Sequence, residues 1–259
     1  MDFDAALTGF EALDEDALAR PWTWRGGTLD AREALYRTLE ETQEALVRAA
    51  AAPLPESRRI LALAQRAFGD LRGLLLGLPA PLLDKPPRAG EWPVRETLRH
   101  MLAVERRYAL QTLWALERAE IEPVRIPDDR LPTAAQMDVS GDIAAILARI
   151  GEARAESNRR LGNVAPGAMT RPTVWAGYDV DVRFRLHRFA VHVTEHTIQC
   201  DKTLATLGWR QTEGQRIMRH VAAMLGELEG LGAQDEVRHL EARLVERYAA
   251  VRPAEQRSR

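Results

Sequence analysis

The sequence has very little cysteine and no long hydrophobic run. Cys200 is the only cysteine among 259 residues, which excludes an internal disulfide framework and fits a reducing compartment. The longest apolar stretch, LRGLLLGLPAPLL, is too short and too interrupted by proline to predict a membrane span. The opening MDFDAALTGFEALDED is acidic and does not have the pattern of a signal peptide. We therefore expect a cytoplasmic protein that does not bind membranes.

An excess of charge of one sign is also absent. The sequence contains 36 lysines and arginines against 38 aspartates and glutamates, and its basic residues form no stripe interleaved with aromatics. Such a balance gives no electrostatic attraction toward nucleic acid or an anionic lipid surface. We expect the partner to be a small-molecule substrate rather than nucleic acid.

Strand-forming residues are scarce, whereas helix formers are abundant. Val, Ile, Phe and Tyr are few beside Ala, Leu, Arg and Glu, which favours an all-α fold. Apolar residues recur at helical spacing in segments that begin near positions 30, 56, 92, 142, 180, 214 and 236. The segments PWTWRGG and NVAPGAMTRPTVWAGYD are predicted to be non-helical connections, and no repeat of fixed period stands out.

A polar stripe runs along the segment VDVRFRLHRFAVHVTEHTIQC. His192 and His196 are four residues apart, so on a helix both rings project from one face within reach of a single metal ion. The stripe consists of Asp181, Arg185, Arg188, His192, His196, Gln199 and Thr203. Apolar residues border it on both sides, which predicts the lining of a cleft rather than a solvated face. The spacing alone also fits a surface pair or a hydrogen-bonded core histidine.

A third histidine lies on an earlier predicted helix. His100 falls at the edge of the apolar arc of the segment WPVRETLRHMLAVERRYALQ, a position that can face a cleft. Glu105 lies near the middle of the same arc, where an unpaired carboxylate is costly. We expect its partner to be either a metal-ligating histidine ring or a buried arginine.

These residues form a pattern that resembles the DinB-like superfamily. The segment GLPAPLLDKPPRAGEWPVRETLRHMLAVERRY, followed much later by HVTEHTIQ, is similar to that family over roughly residues 56–209. In the family a tryptophan opens the second bundle helix, a histidine follows about two turns later, and an H-x-x-x-H pair with a trailing glutamine lies on the last bundle helix. The matching residues are Trp92, His100, His192, His196 and Gln199. The resemblance implies a four-helix bundle in which His100, His192 and His196 bind one divalent ion, zinc or nickel, with water completing the coordination.

The resemblance also implies a division of the chain. Residues 56–209 are expected to form the DinB-like metal-binding four-helix bundle. Residues 1–55 form an N-terminal helical extension, and residues 210–259 form a C-terminal helical extension packed on the bundle. Whether these extensions cover the site, extend the core or form a homodimer stays open at this point.

The function implied by the resemblance is that of a metal-dependent enzyme. Three neutral histidine ligands with open positions allow a metal to polarise a substrate or to lower the pKa of a bound water or thiol. Because relatives in the family include thiol S-transferases and a mycothiol-dependent isomerase, the implied reaction is a transfer or isomerisation that uses a low-molecular-weight thiol of the bacillithiol or mycothiol type. Metal-assisted hydrolysis is a variant of the implied reaction.

Four further residues are candidates for supporting the ligands or binding the substrate. They are Glu105, Arg185, Arg188 and Gln199. Arg185 or Arg188 is expected to pair with a carboxylate or another anion, with a structural salt bridge as the alternative role. The alternative function for the whole chain is a non-catalytic helical bundle, stabilised by its metal and acting in association or stress response.

Overall fold

The computed structural model describes residues 3–252, and helices dominate it. The helices are α1 (Phe3–Glu11), α2 (Glu15–Leu18), α3 (Ala31–Ala50), α4 (Glu56–Leu75), α5 (Ala80–Leu83), α6 (Val94–Glu117), α7 (Ile143–Leu161), α8 (Val182–Thr206), α9 (Glu213–Leu231) and α10 (Gln234–Val251). Short 3₁₀ turns occupy Asp128–Arg130, Ala134–Met137 and Pro166–Thr170. The predicted all-α class is confirmed. Within the described residues every helix is either too short or too polar to span a lipid bilayer.

Helices α4, α6, α7 and α8 form the bundle that carries the histidines. Both α4 and α6 pack against α7 and α8. Their contacts are apolar, and buried members of the core include Leu71, Leu98, Ile146 and Leu186. Helix α7 begins where Asp142 accepts a hydrogen bond from the Ala145 backbone N–H at 2.9 Å. This packing places the His100 helix, α6, beside the His192 helix, α8.

Helices α1, α3, α9 and α10 form a second bundle with its own core. Helix α9 packs against α1, α3 and α10, and α10 also contacts α1 and α3. Buried members of this core include Phe10, Leu35, Met218 and Leu244. The segments predicted as separate N-terminal and C-terminal extensions therefore share one core in the structure. The outermost ends of those extensions, residues 1–2 and 253–259, lie outside the described residues.

The two bundles meet along α4 and α9, where glycines allow close approach. A Cβ atom on Gly69 would lie 2.2 Å from the Ala222 carbonyl oxygen. In the reciprocal contact, a Cβ atom on Gly226 would lie 2.5 Å from the Gln65 carbonyl oxygen. Because no side chain fits at either position, the two helices pack backbone against backbone.

Two segments predicted as connections form short β-hairpins instead. The strands are β1 (Pro21–Trp24), β2 (Gly27–Asp30), β3 (Pro172–Trp175) and β4 (Tyr178–Asp181). Strand β1 pairs antiparallel with β2, and β3 pairs antiparallel with β4. In the two turns, Arg25 and Gly26 have φ of 49° and 82°, and Ala176 and Gly177 have φ of 50° and 86°. Consecutive left-handed residues are typical of a two-residue hairpin turn.

The hairpins belong to a unit that occurs twice in the chain, although no repeat of fixed period was predicted. The pattern R-P-x-x-W-x-G-x-x-x-D occurs at residues 20–30 and again at residues 171–181. The last residue of each copy, Asp30 or Asp181, accepts a hydrogen bond from the first turn of the helix that follows, at 3.1 and 2.8 Å. An arginine of that helix lies over the tryptophan ring of the hairpin, Trp24 or Trp175. The same hairpin and helix start thus occur in both bundles.

Candidate metal centre

Three histidine side chains converge between α6 and α8. His100 comes from α6, and His192 and His196 come from consecutive turns of α8. The Nε2 atom of His192 lies 3.3 Å from that of His100 and 3.0 Å from that of His196. One ring nitrogen from each residue lies within 4.8 Å of the other two. Residues that are distant in sequence therefore present three nitrogen atoms to one point.

Burial favours the neutral form of His192 and His100. The pKa of His192 is lowered to about 3, mainly by burial and to a smaller extent by the neighbouring His196, His100 and Arg188. Burial is also the main cause of the lowered pKa of His100, with smaller contributions from His196 and Arg107. A neutral imidazole retains a lone pair on one ring nitrogen, which is the form that binds metals.

A hydrogen bond to Gln199 fixes the tautomer of His196. The Nδ1 atom of His196 lies 2.8 Å from the Gln199 Oε1 atom. Because an amide oxygen only accepts hydrogen bonds, Nδ1 carries the proton and donates the hydrogen bond. The lone pair of His196 is then on Nε2, the atom that faces the other two histidines. Metal-ligating histidines commonly have this kind of partner on the second ring nitrogen.

The arrangement fits a divalent ion. Bonds of about 2.0–2.1 Å from a tetrahedral ion separate its nitrogen ligands by roughly 3.3 Å. The observed separations of 3.0 and 3.3 Å around His192 are close to that value. A cation among these nitrogen atoms can accept a lone pair from each neutral ring. The donor type and the spacing both suit a metal.

A cavity of about 440 Å³ opens beside the histidines. Its walls come from α6, α8 and the β3–β4 hairpin, and they include Tyr108, Trp175, Arg185 and Arg188. The indole Nε1 of Trp175 donates a hydrogen bond to the Tyr108 hydroxyl at 3.1 Å, which ties the hairpin to α6. The cavity has a volume typical of small-molecule sites. A ligand can therefore reach the histidine nitrogens.

The four further candidate residues have different positions. Gln199 contacts His196, and both Arg185 and Arg188 line the cavity. Glu105 does not line it. Its Oε1 atom accepts hydrogen bonds from Arg154 at 2.8 Å and from Ser157 at 2.6 Å. The structure thus gives Glu105 the buried arginine partner and not the histidine ring.

Tyr108 and Gln111 line the cavity but were not among the residues predicted for the site. Tyr108 and Gln111 follow His100 at helical spacing on the same face of α6, which is a signal that the sequence does contain. Trp175 reaches the cavity through the β3–β4 hairpin, a segment that was predicted to be a non-helical connection.

The fold and the site define a helical-bundle protein with a candidate three-histidine metal centre. A family model of the DinB superfamily matches residues 63–200, which is more than half of the chain. The chain belongs to the DinB superfamily, as its resemblance to that family predicted.

One solved structure similar to this chain is that of YfiT from Bacillus subtilis. It is described as a probable metal-dependent hydrolase with an unusual four-helix bundle topology. The two share 16% sequence identity and superpose with a TM-score of 0.50, over 61% of this chain and 93% of YfiT. At this identity the likeness shows the fold alone. Among curated proteins, none matches the chain significantly.

Proposed function

We propose that this protein is a metal-dependent enzyme that transforms a small molecule with a nucleophile activated at His100, His192 and His196. The convergence of three histidine nitrogens beside an open cavity carries the proposal. Structural zinc sites are usually closed by four protein ligands, whereas catalytic sites have three and leave a position open. Membership of the DinB superfamily and the description of YfiT also support a metal-dependent activity.

Each part of the site has a defined task in this proposal. Zinc or nickel is the proposed ion, because imidazole ligands suit both. Such an ion lowers the pKa of a water or thiol that it binds and so supplies a nucleophile near neutral pH. Burial of His192 keeps its ring unprotonated, and Gln199 orients His196. The joined side chains of Trp175 and Tyr108 form one wall of the cavity.

Two classes of nucleophile are compatible with the site. Water leads to hydrolysis, and a low-molecular-weight thiol such as bacillithiol or mycothiol leads to an S-transferase or isomerase. The chain supplies no reactive thiol of its own, since Cys200 is fully buried and burial raises the pKa of its thiol to about 12. A thiol-dependent reaction therefore requires a bound small-molecule thiol, for which the cavity has room.

An activity screen with matched variants tests the proposal. Zinc-loaded and nickel-loaded proteins are each assayed against chromogenic esters and amides, and in parallel for consumption of bacillithiol or mycothiol with an aromatic halide electrophile. We expect turnover in one arm that is lost in His192→Ala and retained in His187→Ala, because His187 is exposed on the same helix. Absence of turnover in both arms with stoichiometric metal contradicts the proposal.

A structural metal that links two helices is the second candidate. The ligands come from both α6 and α8, so an ion at this point would join them. The apolar cores on either side of α8 argue that the bundle folds without that link. We expect a chelator to leave the helical circular dichroism unchanged and to lower the thermal midpoint by only a few degrees. Loss of cooperative unfolding after chelation would favour the structural role.

A further inference from the structure

Arg185 is a buried arginine without an acidic partner. Its side chain is 2% exposed, yet within residues 3–252 it forms no ion pair. One guanidinium nitrogen donates a hydrogen bond to the Gln111 Oε1 atom, and the guanidinium carbon lies 5.2 Å from the centre of the Tyr108 ring. The Nε atom is buried and has no hydrogen-bond partner. These contacts hold the side chain in place but leave its charge uncompensated.

The other buried arginines are compensated. Arg154 pairs with Glu105 at 2.8 Å, and Arg247 pairs with Glu41 at 2.5 Å. Arg118 has no acid but lies near three backbone carbonyl oxygens, at 3.3–3.5 Å. Burying an unpaired charge is costly, so Arg185 differs from the rest of the interior in a way that calls for a partner.

The surroundings of Arg185 are also positively charged. Arg107 and Arg188 line the same cavity, and Glu195 is the one carboxylate among its lining residues. Arg188 lies 4.6 Å over the Trp175 ring, and its nearest acid, Glu195, is 3.9 Å away. Burial lowers the pKa of Arg185 only to about 10, so the guanidinium stays charged at neutral pH. Three guanidinium groups and one carboxylate thus line the cavity beside the histidines.

We infer that Arg185 and Arg188 form a binding site for the carboxylate of a small organic acid, which places the rest of that molecule against the histidine centre. The inference rests on the proposed function for the role of the bound molecule as substrate, but anion binding itself does not require the metal. The planar fork of a guanidinium matches a carboxylate, and the aromatic walls formed by Tyr108 and Trp175 match the organic part. The ligand class is therefore a carboxylate carried on an apolar or aromatic frame.

Benzoate is a suitable probe, with benzamide as its neutral isostere and inorganic phosphate as a competing anion. Binding is measured by calorimetry on chelator-treated protein, so that the carboxylate cannot bind through the metal. We expect benzoate to bind, benzamide not to bind, and phosphate to bind more weakly than benzoate. Phosphate binding tighter than benzoate would overturn the carboxylate assignment, and equal binding of benzoate and benzamide would overturn the anion site.

Two variants and one control separate ligand binding from a structural role. Arg185→Gln and Arg188→Gln are expected to weaken benzoate binding by about tenfold or more. Arg183→Gln is the matched control on α8, because Arg183 pairs with Glu56 and does not line the cavity. We further expect Arg185→Gln to raise or preserve the thermal midpoint of the unliganded protein, since it removes an uncompensated charge. A large fall in that midpoint would assign Arg185 a structural role and overturn the inference.

The outcomes of this experiment and of the activity screen are distinguishable. Carboxylate binding that depends on Arg185, without turnover in the metal-loaded protein, leaves the anion site standing and contradicts the proposed function. Turnover of neutral substrates, with benzoate unaffected by Arg185→Gln and Arg188→Gln, contradicts the anion site alone.

Discussion

Gln199 determines how His196 can act as a ligand. Its amide oxygen accepts a hydrogen bond from His196 Nδ1 at an N···O distance of 2.8 Å, which leaves the Nε2 lone pair available to a metal. We expect Gln199→Ala to weaken metal affinity by about 10–100-fold, as is usual when a histidine ligand loses such a partner. Gln199→Glu keeps an acceptor oxygen and is expected to retain most of the affinity. Competition with a metal-binding dye measures both variants, and unchanged affinity in Gln199→Ala would contradict the role given to Gln199.

Glu11 predicts a pH dependence of stability. Burial raises its pKa to about 9, against an opposing effect of Arg72, and neither carboxyl oxygen has a hydrogen-bond partner. Between pH 4.5 and about 9 the folded protein therefore holds a proton that the unfolded chain releases. The contribution of Glu11 to the free energy of unfolding is complete below pH 4.5 and declines as pH rises through this range.

Replacing Glu11 by glutamine tests whether the Glu11 contribution to the free energy of unfolding falls as pH rises. Glu11→Gln is expected to raise the free energy of unfolding by about 1–3 kcal/mol at pH 8 and to flatten its decline between pH 7 and 9. Glu44→Gln, at an exposed glutamate of α3, serves as the control and should change neither quantity. Urea unfolding at several pH values provides the measurement. A variant less stable than the parent at pH 8 would show that the Glu11 carboxyl is stabilising in its charged form.

The shared face of His192 and His196 could be predicted from the sequence, but the partner of the buried Glu105 could not. Helical spacing was enough to place His192 and His196 on one face, because that relation is local. The cost of burying Glu105 was also evident from its position on the apolar arc. Its actual partner, Arg154, comes from α7, and only the packing of α6 on α7 brings the two together. Long-range partners of this kind cannot be read from spacing along one helix.

At the level of elements, helices were predictable and hairpins were not. The strands have four residues each, which is too short for an alternating pattern to be distinguished from a connection. Their turns contain Arg25-Gly26 and Ala176-Gly177 instead of the asparagine or aspartate that usually precedes glycine in such turns. The repeated R-P-x-x-W-x-G-x-x-x-D pattern is the signal that could have identified them.

Because α4 and α9 lie so close together, adding one methyl group between them is expected to lower the free energy of unfolding strongly. Gly226→Ala would place a Cβ atom 2.5 Å from the Gln65 carbonyl oxygen and force the two helices apart. We expect a loss of about 2 kcal/mol or more in the free energy of unfolding. In the control Gly151→Ala, on α7, the new Cβ atom lies at an ordinary 3.4 Å from the Phe68 ring, and the gain in helix propensity should make the change neutral or stabilising. Equal effects of the two substitutions in denaturant unfolding would contradict the close approach.

At the level of the whole molecule, two bundles share a hairpin and helix start but differ at the site. Counted from the capping aspartates Asp30 and Asp181, Glu41 and Ala45 take the positions of His192 and His196. Instead of converging histidines, the second bundle has Glu41 paired with Arg247 at 2.5 Å and with Arg243 at 3.0 Å. In the second bundle an ion pair thus occupies the place where the histidine-bearing bundle has its candidate metal centre.

This difference predicts the number of ions that each chain binds. Within residues 3–252, His100, His192 and His196 are the one cluster of potential ligands of this kind. The second bundle has its own apolar core and its own ion pair, so its stability does not depend on a metal. We therefore expect one equivalent of metal per chain and no second, weaker equivalent.

Metal analysis of the purified protein determines whether His100, His192 and His196 bind an ion. The parent protein and the variants His100→Ala, His192→Ala and His187→Ala are incubated with zinc or nickel, freed of excess ion and measured by inductively coupled plasma mass spectrometry. We expect one equivalent in the parent and in His187→Ala, and none in His100→Ala or His192→Ala, with unchanged helical circular dichroism in all four. Full metal content in both His100→Ala and His192→Ala would contradict this expectation.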